Sequence, residues 1–223
     1  MNDSKNKPAD GASDSPIPKA VVSRLSLYLR ELQRLMFEGQ ETISSTQVGK
    51  LLGLTDAQVR KDLAYFGQFG YPGIGYRCEE LIQQIKNILG TDQDWPIAIV
   101  GIGNLGRALL GYRGFSSQGF RIVSALDVDE KKVGQQVEGV RIEHLDNMSK
   151  VIQERGIRLG VISVPAEMAQ DVADRLVASG IDGILNFAPF TISTPSTVHV
   201  VGVDLAIEME QLSFAVVNRP SNA

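Results

Sequence analysis

Residues 97–106 have the sequence IAIVGIGNLG, an apolar run followed by a G-x-G-x-x-G turn and the start of a helical stretch. In a dinucleotide-binding βαβ unit the first glycine (Gly101) permits a tight turn, and the second (Gly103) lets the backbone approach a pyrophosphate. The third (Gly106) allows the helix to pack closely on the strand. Phosphate oxygens then meet the N–H groups of the helix that begins near Asn104. The stretch therefore predicts a Rossmann-type nucleotide-binding domain.

A carboxylate follows this turn near the expected spacing. Asp127 ends the next strand-like run and lies about 20 residues after the glycines. An acid at this place accepts hydrogen bonds from ribose hydroxyls and repels a 2′-phosphate, which favours NAD(H) over NADP(H). Lys131 and Lys132 are close enough in sequence to reach an adenine ring or a phosphate, although such a pair is more often a solvated face.

The overall composition excludes several classes of protein. With 223 residues, 43% of them apolar, the chain is long enough for two modest domains. Its single cysteine, Cys78, excludes an intramolecular disulfide framework and a multi-cysteine metal site. No window has the roughly 18 consecutive apolar residues of a membrane span, and the polar residues 1–16 predict a disordered tail. We therefore expect a cytoplasmic protein with no membrane partner and no metal.

Basic residues are concentrated ahead of the nucleotide motif. Ile17–Cys78 holds eight basic and five acidic residues, a net charge of +3 in a chain whose net charge is −4. Apolar residues at three- and four-residue spacings predict a helix from Pro18 to a glycine stop at Gly39. A basic helical segment of this kind is suited to DNA.

Two short helices follow, each opened by a capping-box pattern. They begin with Ser44-Ser45-Thr46-Gln47 and Thr55-Asp56-Ala57-Gln58, and the second of them is predicted to run to Phe66. Two capped helices joined by a glycine-containing turn form a helix-turn-helix. The Gly- and Pro-rich residues 70–77 predict a small β excursion, which makes this module a winged helix.

The third helix is the candidate recognition helix. Ala57 and Gln58 lie in its first turn, where such helices meet base edges, and Arg60 and Lys61 follow as contacts to bases or phosphates. The alternative interpretation of these residues is an ordinary basic helix face.

From Trp95 onward, strand-like runs alternate with helical stretches, a pattern that predicts a parallel sheet covered by helices. A last helix, about Leu205 to Phe214, has no later strand to pair with, so it either folds back on its own sheet or docks on a second subunit. The predicted fold class is α/β, with an N-terminal winged-helix domain followed by a Rossmann-type doubly wound sheet. The predicted divisions are a tail at 1–16, the winged helix and a linker helix at 17–90, the Rossmann domain at 91–203, and the final helix and tail at 204–223.

Two other functions stay open on these patterns. A dehydrogenase needs a proton donor near the nicotinamide, but His144 and His199 are the only histidines and neither follows a convincing substrate loop. Binding without turnover is therefore preferred to an NAD-dependent dehydrogenase with an N-terminal interaction module. A regulator that senses another nucleotide is the second alternative, because similar glycine-motif domains bind coenzyme A.

Several longer motifs are more specific than the glycines alone. In the first domain they are Val22-Ser23-Arg24-Leu25, Tyr28-Leu29-Arg30, Gln58-Val59-Arg60-Lys61-Asp62-Leu63, Tyr65-Phe66-Gly67 and Gly73-Ile74-Gly75-Tyr76. In the second they are Val100 to Gly106, Asp127-Val128-Asp129 and Ile184-Leu185-Asn186-Phe187-Ala188-Pro189. From about Ile17 to its C-terminus the chain resembles the Rex family, the redox-sensing transcriptional repressors of bacteria.

The resemblance implies a homodimer in which each C-terminal helix is swapped onto the partner subunit. It also implies that NADH rotates the subunits and releases operator DNA, whereas NAD+ competes weakly and leaves DNA bound. The residues that match the family's switch are Arg30, Tyr112 and Asp204, with Arg30 exchanging partners with the aspartate. Leu205 departs from relatives that carry phenylalanine there. The NAD site is expected to survive this difference, whereas the discrimination between NADH and NAD+ can differ from that of those relatives.

The predicted site residues form two sets. The cofactor set is Gly101, Ile102, Gly103, Asn104, Leu105, Gly106, Tyr112, Asp127, Lys132, Val164, Pro165, Asn186 and Phe187. The DNA set is Ser45, Gln58, Arg60, Lys61, Tyr65, Gly73, Gly75 and Arg77.

Overall fold

The computed structural model describes residues 17–67, 69–71 and 73–219. The chain divides into two compact units, with the division between Gln93 and Asp94. The tail predicted at 1–16 lies outside the described residues, as does the end of the chain at 220–223.

The first unit is helical, with a small two-stranded sheet. Its elements are α1 (Lys19–Phe37), β1 (Thr42–Ile43), α2 (Ser45–Leu52), α3 (Asp56–Ala64), β2 (Tyr76–Arg77) and α4 (Cys78–Leu89). The buried face of α1 follows helical periodicity and packs against α2, α3 and α4 through Leu25, Tyr28, Leu29, Leu32 and Leu35. α1 begins one residue later than predicted, because Pro18 has an extended ψ of 136° and occupies the N-cap position.

The two capping boxes predicted from sequence differ in the structure. At α2 the box is complete, since Gln47 N–H donates to Ser44 Oγ at 3.2 Å and Ser44 N–H donates to Gln47 Oε1 at 2.8 Å. At α3 only half of it forms, because the side chain of Gln58 is bonded elsewhere, and the helix ends at Ala64, two residues before the predicted Phe66.

The predicted β excursion is present. β1 pairs antiparallel with β2, and in the turn before β2 the Tyr71 N–H donates to Gly75 O at 2.7 Å. Gly75 has a φ of +92°, and a Cβ there would lie 2.6 Å from the carbonyl oxygen of Ile43, so glycine is required. α4, predicted as a linker helix, contributes Cys78, Leu81 and Ile85 to the core of this unit. Burial raises the pKa of the Cys78 thiol, which acts as a packing group.

The second unit is an α/β domain. Its strands are β3 (Trp95–Val100), β4 (Phe120–Asp127), β5 (Gln136–Val137), β6 (Val140–His144), β7 (Leu159–Ile162), β8 (Gly183–Asn186) and β9 (His199–Gly202). Its helices are α5 (Asn104–Leu110), α6 (Arg113–Ser116), α7 (Met148–Glu154), α8 (Ala169–Ala178) and α9 (Leu205–Val217). The short elements β5 and α6 carry too little periodicity to have been predicted.

The strand order is β5-β6-β4-β3-β7-β8-β9, and only β5 pairs antiparallel. The six parallel strands, numbered in chain order, are arranged 3-2-1-4-5-6, the order of dinucleotide-binding folds. From β3 the next two parallel strands are added on one side of the sheet, and β7, β8 and β9 are added on the other side. The crevice at the carboxyl ends of β3 and β7 is therefore the switch point where such folds bind ligands.

Alternate residues of the central strand face two different cores. Ala98 and Val100 pack in a cluster with residues of α7 and α8, whereas Ile97 and Ile99 belong to a second cluster with Leu109 of α5. The sheet is therefore covered on both faces, and the predicted α/β fold class is confirmed. Within the described residues, no helix is long and apolar enough to cross a membrane.

Candidate nucleotide site and nucleic-acid interface

Each of the three positions in the turn holds a glycine for a different structural reason. Gly101 has a φ of +92°, and a Cβ there would lie 2.5 Å from the carbonyl oxygen of Ser163. A Cβ at Gly106 would meet the carbonyl oxygen of Gly101. Gly103 differs, because its Cβ would have no neighbour within 4 Å. The first and third glycines are thus required by packing, and the second leaves the turn open to an approaching ligand.

The end of β7 lies against this turn. Ser163 N–H donates to Val100 O at 2.9 Å, and Ser163 Oγ donates to Gly101 O at 2.8 Å. The predicted contacts Val164 and Pro165 follow directly, and a Cβ on Gly101 would lie 2.7 Å from Val164 Cγ1. The structure therefore places Val164 beside the glycine turn at the switch point.

Asp127 is buried at the end of β4 and is held from three directions. It accepts hydrogen bonds from Ile102 N–H at 2.7 Å, from Asp129 N–H at 2.9 Å and from Lys132 Nζ at 3.0 Å. Burial alone would raise the pKa of this carboxyl, but these donors outweigh burial and hold the pKa below its usual range. An ionised carboxylate has about four lone-pair sites, so acceptor capacity remains for a ribose hydroxyl.

Lys132 forms ion pairs with two carboxylates, Asp127 and Asp129, that precede it by a few residues. Besides Asp127, its Nζ lies 3.8 Å from Asp129 Oδ2, and its side chain is partly buried. Its charge is therefore already compensated by carboxylates, and a contact with the adenine ring or a phosphate stays a prediction.

The loop after β8 is closed by Asn186. This buried amide accepts from Ala188 N–H at 3.0 Å and donates to Phe190 O at 2.8 Å. Phe187 N–H donates to Ile162 O at 2.9 Å, which joins the loop to the end of β7. The side chain of Asn186 is thus used to shape the loop, and it positions Phe187 next to the switch point.

In the first unit, Arg60 lies on the exposed side of α3. Its Nη1 is 2.8 Å from Asp56 Oδ2 and donates to Ser45 Oγ at 3.2 Å, so the guanidinium bridges α2 and α3. Lys61 is exposed beside it. Arg77 of β2 lies 5.3 Å from the centre of the Tyr71 ring and 3.1 Å from Glu80.

Two further predicted DNA contacts, Tyr65 and Gly73, lie between α3 and β2 in the chain. Tyr65 caps the C-terminal end of α3, and Gly73 has a φ of +78° within the turn before β2.

Among the described residues, no group of three or more His, Cys, Asp or Glu side chains is placed to hold a metal ion.

Comparison with known proteins identifies the family. Residues 16–64 match a family model described as "Putative DNA-binding protein N-terminus", and residues 92–190 match one described as "CoA binding domain". The redox-sensing transcriptional repressor Rex of Syntrophobacter fumaroxidans is 47% identical over 89% of this chain and 95% of its own length. That of Streptomyces coelicolor is 48% identical over 89% of this chain and 77% of its own length. The chain belongs to the Rex family of redox-sensing transcriptional repressors.

A solved Rex-family structure agrees with this assignment. The crystal structure of RSP in complex with β-NAD+ and operator DNA matches with a TM-score of 0.87 at 33% identity, over 91% of this chain and 94% of RSP. RSP in complex with β-NADH matches with a TM-score of 0.82 at 32% identity. The relatives are repressors, which disfavours the dehydrogenase alternative.

The three residues predicted to form the switch each have a partner within their own unit. Asp204 is the N-cap of α9 and accepts from Ala206 N–H at 2.9 Å. Tyr112 is exposed, with its ring edge-on to Phe115 at 5.1 Å. Arg30 is exposed on α1, 3.9 Å from the carboxylate of Glu31.

Sequence reasoning missed Asp62. This aspartate of α3 is fully buried and accepts hydrogen bonds from Arg24 and Tyr28 of α1 and from Gln58 of α3. Burial alone would raise the pKa of Asp62, but the three donors outweigh it and hold the pKa below its usual range. The spacing of Arg24 and Tyr28, one helical turn apart on the inner side of α1, was the available signal.

Proposed function

We propose that this protein binds operator DNA through α3 and the β1–β2 wing and is released when NADH binds at the Gly101–Gly106 turn. The observation that carries the proposal is the open glycine turn at the switch point of a 3-2-1-4-5-6 sheet, with the buried carboxylate of Asp127 bonded to that turn, in a chain whose first unit is a basic helical module. A protein with this task acts in the bacterial cytoplasm.

The second unit offers what NAD(H) requires. The open space at Gly103 and the first N–H groups of α5 suit a pyrophosphate, and the free acceptor capacity of Asp127 suits a ribose hydroxyl. The nicotinamide supplies a ring that is positively charged when oxidised and neutral when reduced. Of the other predicted contacts, Val164 and Phe187 are those that lie at the switch point.

Tight binding of the nucleotide does not by itself release DNA. A ligand shifts an equilibrium between two arrangements only if it binds one of them better. The ADP half is common to NADH and NAD+, so the nicotinamide end must contact the element that moves. Tyr112, Phe187, Asp204 and Leu205 are the candidates.

The active form is a homodimer joined through α9. None of the side chains of α9 is buried by the described part of the chain, and seven large apolar residues are at least half exposed, namely Leu205, Ile207, Met209, Leu212, Phe214, Val216 and Val217. A helix that is apolar on most of its surface is normally buried. A second subunit provides the cover, and two-fold symmetry then pairs two DNA-binding units with two half-sites.

A mobility-shift titration tests the proposed function. At fixed concentrations of protein and operator DNA, NADH is expected to dissociate the protein–DNA complex, and NAD+ is expected to leave it intact. Operator DNA is obtained by selection from a random double-stranded library. Equal responses to the two nucleotides would contradict redox sensing.

Coenzyme A is the competing ligand, because the matched family model is described as a CoA-binding domain. Asp127 argues against it, since coenzyme A carries a phosphate on the ribose and the buried carboxylate is ionised. A third arm of the titration uses coenzyme A alone. Release by coenzyme A, with no response to NADH, would replace the nucleotide in the proposal.

Arg60→Ala is expected to lower operator affinity by on the order of 10-fold to 100-fold, the worth of one good base or phosphate contact. The affinity for NADH is expected to stay unchanged, because Arg60 and the nucleotide site lie in different units. Arg34→Ala is the matched control, since Arg34 is paired with Glu31 and Glu38 of its own helix. Equal losses in the two variants would mean that only net charge matters.

A further inference from the structure

The carboxylate of Asp62 is saturated with donors. Oδ2 accepts from Arg24 Nε at 2.5 Å and from the Tyr28 hydroxyl at 2.7 Å. Oδ1 accepts from Arg24 Nη2 at 2.8 Å and from Gln58 Nε2 at 2.7 Å. These four bonds fill the roughly four lone-pair sites of a carboxylate. We call Arg24, Tyr28, Gln58 and Asp62 the Asp62 cluster.

The saturation fixes which end of the Gln58 amide faces inward. The nitrogen and oxygen of a glutamine side chain are usually hard to tell apart. Here chemistry decides, because an ionised carboxylate can only accept and Gln58 must therefore present Nε2 to Asp62. The bidentate guanidinium of Arg24 holds the carboxylate itself in place.

After its bond to Asp62, the side chain of Gln58 still has one hydrogen-bond acceptor and one donor free. Nε2 has given one of its two N–H groups to Asp62, so Oε1 and the second N–H are left. An acceptor beside a donor matches the N6 amino group and N7 of adenine in the major groove. Gln58 is partly exposed in the first turn of α3, two residues before Arg60, where recognition helices contact bases.

We propose that Asp62 is a positioning residue for sequence readout, which holds Gln58 so that α3 selects adenine at one base pair of each half-site. The inference rests on the proposed function and adds a determinant that contacts no DNA itself. Specificity at that base pair then depends on α1, because Arg24 and Tyr28 supply three of the four bonds to Asp62.

A merely structural role predicts something different. If the cluster only joined α1 to α3, weakening it would lower affinity for every DNA sequence by the same factor. A positioning role changes base preference at one position and leaves the preferences at the others.

The experiment compares base preferences of full-length variants. Wild type, Gln58→Met and Asp62→Asn are each titrated against a panel of operators in which every base pair is replaced in turn. Wild type is expected to prefer adenine at one pair by roughly 5-fold to 150-fold, the range for a bidentate base contact. Gln58→Met is expected to lose that preference alone. Asp62→Asn is expected to weaken it, because an amide can donate as well as accept and no longer fixes the orientation of Gln58.

Matched controls separate the outcomes. Gln83 donates to Asn87 at 2.9 Å across one turn of α4, so Gln83→Met removes a similar amide pair outside the recognition helix and should leave the profile unchanged. Should Asp62→Asn fail to fold, Tyr28→Phe removes one of the four bonds and should weaken the same preference in part. An unchanged profile in Gln58→Met, or a uniform loss in Asp62→Asn or Tyr28→Phe, overturns the inference. A wild type that selects no DNA sequence overturns the proposed function and the inference with it.

Discussion

Gly103→Val is expected to stay on operator DNA at NADH concentrations that release the wild type. A Cβ at this position has no neighbour within 4 Å, and the φ of −79° is open to any residue, so the domain should fold normally. The added side chain occupies the space through which a pyrophosphate reaches the turn. Losing one or two charge-assisted hydrogen bonds, at about 1.5–3 kcal/mol each, lowers NADH affinity by on the order of 100-fold.

Three measurements check this result: the melting temperature, NADH affinity by calorimetry, and the mobility shift with increasing NADH. Gly106→Val is the contrasting variant, because its side chain would meet the carbonyl oxygen of Gly101 inside the packed turn. That variant should lose stability as well as nucleotide binding. If Gly103→Val binds NADH as the wild type does, the glycine turn does not hold the pyrophosphate.

The parts of the structure that sequence predicted are those decided locally. The glycine turn, the complete cap at Ser44 and the buried face of α1 each depend on residues within one or two turns of each other. Local chemistry specifies such features, and the periodicity of the chain shows them. The order of the strands is different, because it depends on which distant segments pair, and a single sequence carries no local sign of that.

The candidate site shows the same division. Asp127 was predicted from its spacing, but its bonds to Ile102 and Lys132 depend on how β4 lies beside the glycine turn. Gln58 was predicted as a reader of bases without its tie to Asp62, which requires α1 and α3 to be packed together. Buried polar partners of this kind come from different elements, so no spacing rule shows them.

Replacing Met209 and Leu212 together by glutamate is expected to convert the dimer into monomers. The two residues are one turn apart on α9, and the side chains are 64% and 56% exposed in the single chain. Glutamate keeps a good helix propensity, but burying two carboxylates without partners in an apolar contact costs several kcal/mol. The double substitution therefore acts on the interface and leaves the helix itself intact.

The loss of the dimer should reduce DNA binding by a large factor. A dimer holds two half-sites at once, and such linkage raises affinity by roughly 10²-fold to 10⁴-fold over a single unit. Sedimentation velocity reports the mass, and mobility shift with whole and half operators reports the affinity. Gln211→Glu adds a negative charge at a polar position on the opposite side of α9 from Met209 and should remain dimeric. If the Met209→Glu, Leu212→Glu protein still sediments as a dimer, α9 does not form the interface, because two carboxylates buried in that contact would have separated the subunits.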